Sequence, residues 1–266
     1  MVTPANGFPW RRYVALGDSF TEGVGDPDPA RPNGLRGWAD RVAEVLDERD
    51  PGLGYANLAI RGRKLRQIVE EQVDPALELG PDLVSIHAGA NDVLRPRVDL
   101  DALALAYDAA VARLVGSGAQ VVIFTTFDPG SSGIYAALRG RMAIYNEHVR
   151  EISDRHSVTL VDMWRMREGE PADFFDTDRM HLNALGHQRI AFAVLEALGV
   201  THDVSPLQPA EPLQLARGQR LRADAAWTRE FLVPWIHRRL TGRSSGDTVD
   251  PKRPGLAPVR IETHVR

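Results

Sequence analysis

Tyr13-Val14-Ala15-Leu16-Gly17-Asp18-Ser19-Phe20-Thr21-Glu22-Gly23 is the stretch from which the fold is read. Its first four residues are apolar without alternation, the pattern of a strand buried on both faces, as in a parallel sheet covered by helices. Gly17 then opens a turn that leads into a helix and exposes Ser19 at the carboxyl edge of the strand. Four further short runs share this character: Tyr55 to Ile60, Asp82 to His87, Gln120 to Thr126 and Val158 to Met163. Between them lie segments of helical period, at Trp38 to Arg49, Lys64 to Leu79, Leu100 to Val115, Ala136 to His156 and Ala184 to Leu198. The clearest is Leu100 to Val115, where Leu103, Ala106, Tyr107, Ala110, Val111 and Leu114 recur every three or four residues. Pro75 is expected to break or restart the second of them.

Strand alternating with helix over about 200 residues predicts a doubly wound, three-layer α/β/α domain with right-handed crossovers. Ligands of such a domain bind at the carboxyl ends of the strands. The predicted α/β domain is 1–200. Residues 201–266 differ in chemistry, carrying 11 Lys or Arg against 7 Asp or Glu in a chain whose net charge is −4. This extension begins with Pro206, Pro209 and Pro212, continues through a helical stretch from Ala223 to Leu240, and ends in a polar, proline-containing tail. We expect its last 20 or so residues to be poorly ordered.

Composition narrows the chemistry. With 43% hydrophobic and 26% charged residues the chain is an ordinary globular one, and its mild acidity argues against coating nucleic acid. The absence of cysteine removes disulfides, thiolate metal sites and thiol nucleophiles. The segment Met1 to Trp10 lacks the apolar run of a secretory signal, and the apolar stretch behind Arg11-Arg12 is too short for a twin-arginine signal. No window approaches a spanning helix, so a soluble cytoplasmic protein is expected.

Reactive residues follow four of the predicted strands. Ser19 follows the first, Arg61-Gly62-Arg63 the second, Gly89-Ala90-Asn91-Asp92 the third and Asp178-Arg179-Met180-His181-Leu182-Asn183 the fifth. A serine hydroxyl becomes a nucleophile when a base takes its proton and a third group orients that base. Asp178 and His181, three residues apart, suit that pair, while the Gly62 backbone and the Asn91 amide suit donors to a developing oxyanion. Each has a plainer reading when taken alone: Ser19 as a helix cap, Asp178 as a surface aspartate, His181 as a capping or partly buried histidine, Gly62 and Asn91 as turn residues. Their convergence on one sheet edge favours the catalytic reading. His181 and His187 lack metal-binding spacing.

The chain resembles the SGNH hydrolase family, the GDSL-type esterases and lipases. The resemblance rests on Leu16 to Gly23, with Phe20 where the family's nickname has leucine, on Asn57 to Gly62, on Gly89 to Asp92 and on Asp178 to Asn183, and it covers about Tyr13 to Leu198. It implies a five-stranded flavodoxin-like sheet, Ser19 as nucleophile, His181 as base and Asp178 as its partner. It further implies an oxyanion hole of the Ser19 N–H, the Gly62 N–H and the Asn91 amide, no cofactor, and hydrolysis of small-molecule acyl esters through an acyl-enzyme. Acyl transfer on the same site, or a non-catalytic module that binds acylated ligands, are the alternatives.

Several other features are weighed here. Gly242 to Gly246 fits G-x-S-x-G but lacks the preceding strand that this motif requires. Gly130 to Gly133 reads as a solvated loop. Arg61 and Arg63 are candidates for binding an acidic or polar group on the substrate, with plain surface roles as the alternative. Trp227 to Leu240 is a basic, aromatic-rich stretch interrupted by Pro234. Docking on the catalytic domain is the expected role, and contact with an anionic membrane the lesser one.

Overall fold

The run beginning at Tyr13 forms β1 (Arg12–Leu16), which lies between parallel neighbours on both sides. The structure is a computed structural model that describes residues 9–130, 136–166, 171–209, 216–241 and 243–259. From β1 the chain enters α1 (Ser19–Glu22), α2 (Gly37–Arg49), β2 (Gly54–Asn57), α3 (Leu65–Ile68), a π-helical turn (Val69–Val73) and α4 (Asp74–Glu78). β3 (Leu83–Ile86) leads through α5 (Ala90–Val93) into α6 (Leu100–Gly116), and β4 (Gln120–Phe124) into α7 (Arg139–His156). β5 (Thr159–Val161) leads through α8 (Pro171–Phe174) into α9 (Ala184–Ala197). The extension supplies α10 (Arg217–Trp227), a second π-helical turn (Thr228–Leu232), α11 (Val233–Leu240) and β6 (Arg253–Pro258).

The sheet order is β5-β4-β3-β1-β2-β6. Alternate residues of β1 serve the two faces. Tyr13 and Ala15 join a core with Trp38, Val42 and Leu46 of α2 and Ile190 and Val194 of α9. Val14 and Leu16 join one with Tyr107 and Val111 of α6 and Val149 of α7. Helix starts follow local chemistry: the Asp99 side chain accepts from the backbone of Asp101 and Ala102 at the head of α6, and Asn183 accepts from Gly186 at the head of α9. Among the described residues no helix is long and apolar enough to cross a membrane.

Both helix-interrupting prolines are absorbed rather than obeyed. Pro75 and Pro234 each sit in the first turn of a helical segment directly preceded by a π-helical turn. The wider turn accommodates a residue that has no N–H and whose ring would crowd the carbonyl four residues back. The helical stretch of the extension therefore runs from Arg217 to Leu240 through Pro234.

The expected sheet of five parallel strands needs correction, and the tail expected to be poorly ordered contains a strand, while its residues 260–266 lie outside the described ones. β6 pairs antiparallel with β2, so the sheet has six strands and its last strand comes from the extension. Its prolines, Pro254 and Pro258, are tolerated because an edge strand leaves one row of backbone groups unpaired. Without β6, β2 would itself be a bare edge. The strand is held by charge as well as by pairing. The fully buried Lys252 ammonium donates to Asp40 at 2.8 Å and to the Arg36 carbonyl at 2.7 Å. The Arg253 guanidinium lies 5.3 Å over the Tyr55 ring and donates to the Val259 carbonyl at 3.0 Å. Burial pushes the Asp40 carboxyl up and the Lys252 ammonium down, so each depends on its surroundings to stay charged.

Lys252→Ala would strand the Asp40 carboxylate, and the expected loss of unfolding free energy is about 3–5 kcal/mol in urea denaturation. Lys252→Met combined with Asp40→Leu, which removes both charges, should recover most of that loss. A single variant as stable as the wild type would show that this pair does not secure β6.

Candidate active site

The order of strands places the topological switch between β1 and β3, where the chain departs in opposite directions along the sheet. Ser19 follows β1 and Asn91 follows β3, so these two residues flank that crevice. Ser19 is the first residue of α1, and its cap is the neighbouring Asp18, whose Oδ1 accepts from the Phe20 N–H at 3.1 Å. The cap reading of Ser19 is thereby answered: Asp18 performs that task. Gly17 has φ +148, and a Cβ there would collide with the Thr21 side chain and the His87 carbonyl. Gln72, buried in the first π-helical turn, accepts from the Gly17 N–H at 2.8 Å and donates to its carbonyl at 2.9 Å. Among the described residues the Ser19 hydroxyl takes no hydrogen bond, and neither does its backbone N–H.

The Gly62 turn hangs on α1. Glu22, fully buried, accepts from the Arg61 backbone N–H at 2.8 Å and from its guanidinium at 2.5 Å. Gly62 occupies the left-handed region at φ +76 within a turn closed by the Arg63 N–H on the Ile60 carbonyl. Its own N–H takes no partner among the described residues. The Asn91 amide donates to Asp18 Oδ2 at 2.9 Å and to the Arg63 carbonyl at 3.0 Å. Both of its hydrogens are thus engaged, and an oxyanion would reach this amide by sharing one of them.

Asp178 and His181 form a closed local pair. Asp178 Oδ2 lies 2.5 Å from His181 Nδ1, while Oδ1 accepts from the backbone N–H groups of Met180 and His181, each at 2.9 Å. Burial pushes the Asp178 carboxyl up, but the His181 ring and these two N–H groups outweigh it and hold the group below the usual carboxylate range. An ionised Asp178 fixes the proton on Nδ1 and leaves Nε2 as the basic nitrogen. Nε2 takes no hydrogen bond among the described residues. The turn packs against the loop after α1: a Cβ on Gly25 would stand 3.3 Å from the His181 Cβ and overlap the Leu182 carbonyl. His187 adds a second tie, since its Nε2 donates to the Val24 carbonyl at 3.1 Å and its Nδ1 accepts from the Trp38 N–H at 3.2 Å.

Other expectations change on this geometry. Arg61 is committed to Glu22, and Arg63 pairs with Glu71 at 2.8 Å and lies 3.7 Å from Asp247. Both arginines serve the protein's own carboxylates, not the acidic substrate group for which they were considered. The described part of the G-x-S-x-G segment, Arg243 to Gly246, follows α11 in a turn, without the strand its motif needs; Gly242 lies outside the described residues. Ser131, Ser132 and Gly133 likewise lie outside them. Glu22, Gln72 and the coupling role of Asp18 had not been assigned from sequence. An acid three residues after Ser19, directly before Gly23, together with Arg61 in a separate motif, was the available signal for the first of these.

A model of the GDSL-like Lipase/Acylhydrolase family matches residues 15–189. LAE5, an α/β hydrolase enzyme from the metagenome of Lake Arreo, Spain, is similar with a TM-score of 0.59 and 26% identity, over 71% of this chain and 95% of its own. A catalytic mutant of Axe2, an acetylxylan esterase from Geobacillus stearothermophilus, is similar in fold with a TM-score of 0.61 and 22% identity, over 74% of this chain and 97% of its own. The uncharacterized protein YpmR of Bacillus subtilis (strain 168) is 31% identical over 87 residues, or 31% of this chain, and the chain spans 32% of that relative's length.

Burial lowers the His187 imidazole to about 4, from an ordinary value of about 6.5. The native state therefore favours the neutral ring, and the stability this contributes is complete above about pH 6.5 and lost as pH falls towards 4. Between pH 7 and 4 the wild type should lose on the order of 3 kcal/mol more unfolding free energy than His187→Asn. Parallel stability profiles for the two proteins would refute this assignment.

Proposed function

The chain belongs to the GDSL-like lipase/acylhydrolase family, and from that premise we propose that it is a serine esterase hydrolysing carboxylic esters through an acyl-enzyme on Ser19. The observation that carries the proposal is the Asp178–His181 pair, closed through Nδ1 at 2.5 Å, with its turn packed on the loop that leaves the Ser19 helix. In this reading His181 Nε2 takes the proton of the Ser19 hydroxyl as its oxygen attacks the ester carbonyl. The imidazolium so formed is stabilised by the Asp178 carboxylate. The tetrahedral oxyanion is met by the N–H groups of Ser19 and Gly62, which have no partner among the described residues, and by a share of the Asn91 amide. Collapse of the intermediate moves the proton from Nε2 to the leaving alcohol. Water, activated by the same nitrogen, then cleaves the acyl-serine bond and releases the acid.

Fluorophosphonate labelling followed by peptide mapping tests the assignment, with modification expected on Ser19 and none on Ser19→Ala. On chromogenic acyl esters Asn91→Ala is expected to lower kcat by about 10²–10³-fold, the usual effect of removing one oxyanion donor. A folded wild-type protein that neither labels at Ser19 nor turns over any ester in an acyl-chain series would exclude an esterase and favour a binding module.

A further inference from the structure

The extension touches the candidate site at two of the turns that carry its groups. On the base side, the Trp227 indole N–H donates to the Asp178 backbone carbonyl at 3.0 Å. The next residue, Arg179, adopts φ +58, a left-handed conformation that a residue with a Cβ holds only against a local cost. Its guanidinium lies 5.0 Å over the Trp227 ring and pairs with Asp224 at 2.7 Å, both in α10. The Asp178 carbonyl and the Arg179 side chain are therefore both held by one turn of α10. On the oxyanion side, the Ser244 hydroxyl donates to the Arg61 carbonyl at 3.4 Å and fills the place that a Cβ on Gly62 would take. Gly246 sits so close to the Arg61 carbonyl that a Cβ there would overlap it.

No described residue of Arg217–Leu240 belongs to either core. Fold stability is thus a poor account of why this segment docks where it does. We propose that the C-terminal arm, residues 216–241 and 243–247, completes the catalytic site, with Trp227 as a positioning residue for the Asp178–His181 pair and Ser244 as one for the Gly62 turn. This rests on the esterase reading given above. With the Asp178 carbonyl pinned and Arg179 held left-handed, Asp178 can offer Oδ1 to two backbone N–H groups and Oδ2 to the ring at once. Release of the carbonyl lets the turn relax and lengthens the contact to Nδ1. The imidazolium formed during the reaction is then less well stabilised, so the chemical step slows and the base becomes less basic.

The test is Trp227→Phe, which keeps a ring for Arg179 to cover and deletes the indole N–H. The expected result is a fall in kcat of about 10-fold with little change in KM, and an acid limb of the kcat/KM profile displaced to lower pH. A purely structural tryptophan would lower the melting temperature and leave the pH limb where it was. Unchanged kcat and an unmoved limb in a folded Trp227→Phe protein overturn the proposal. Should that variant fail to fold, Asp224→Ala, at an exposed position outside both cores, removes the partner of Arg179 and is expected to act in the same direction more weakly. An unaltered pH profile in Asp224→Ala then counts against it as well. A wild type that neither labels at Ser19 nor hydrolyses esters defeats the underlying esterase reading. Full wild-type activity beside an unaffected Trp227→Phe defeats the role of the arm alone.

Discussion

One carboxylate joins the parts on which this site depends. Asp18 is almost wholly buried, and its two oxygens are divided between two strand ends. Oδ1 caps the short helix that begins with Ser19, and Oδ2 holds the amide of Asn91, which arrives from β3. His87, at the carboxyl end of β3, brings its Nδ1 within 3.6 Å of Oδ1. A four-residue helix has little stability of its own, because nucleating a turn costs more than its few hydrogen bonds return. The capping bond, the Gln72 clamp on Gly17 and the Glu22–Arg61 pair supply what is missing. The position of Ser19 is therefore set by buried polar contacts to three other segments rather than by helix propensity.

The parts of this arrangement visible in sequence are those governed by local rules. Apolar runs without alternation located five strands, and the turns at their ends are those of Ser19, Gly62 and Asn91, whereas the Asp178–His181 turn comes only after α8. The pairing of Asp178 with His181 is a three-residue relation, so spacing alone could suggest it. Glu22–Arg61, Gln72–Gly17 and Trp227–Asp178 are separated by 39, 55 and 49 residues, and no local pattern reports contacts of that range. β6 was hidden for a different reason. Its residues, Arg253-Pro254-Gly255-Leu256-Ala257-Pro258, read as a polar, proline-rich tail, because an edge strand tolerates what a central strand rejects. Pro234 misled in the opposite sense, since a helix interruption expected from the residue itself is taken up by the π-helical turn before it.

Charge is placed with similar economy. Arg61 and Arg63, on either side of Gly62, could have presented two free cations to any ligand, yet both are matched by carboxylates of the protein. The positive potential near the crevice is correspondingly reduced, and in the proposed reaction the donors to a transient anion are backbone groups and an amide. Such dipoles need not be desolvated as ions, and they stay directed at the place where charge develops. The body and the extension meet through paired charges too, Asp40 with Lys252 and, with the signs reversed, Arg63 with Asp247.

The antiparallel seam between β2 and β6 bears on how the molecule is made. Gly54 pairs with Pro258 across roughly 200 intervening positions, so the flank of the sheet nearest the Gly62 turn is closed by residues translated long after it. A nascent chain that has released everything up to α11 still displays the bare backbone of β2, and neither Lys252 nor Asp247 has yet reached its counter-ion. Five strands can assemble during synthesis, but the sixth arrives late and from the far end of the chain. Ribosomal emergence and completion of the crevice are thereby coupled in time, and the interval before closure is when an unsealed border is exposed to another chain.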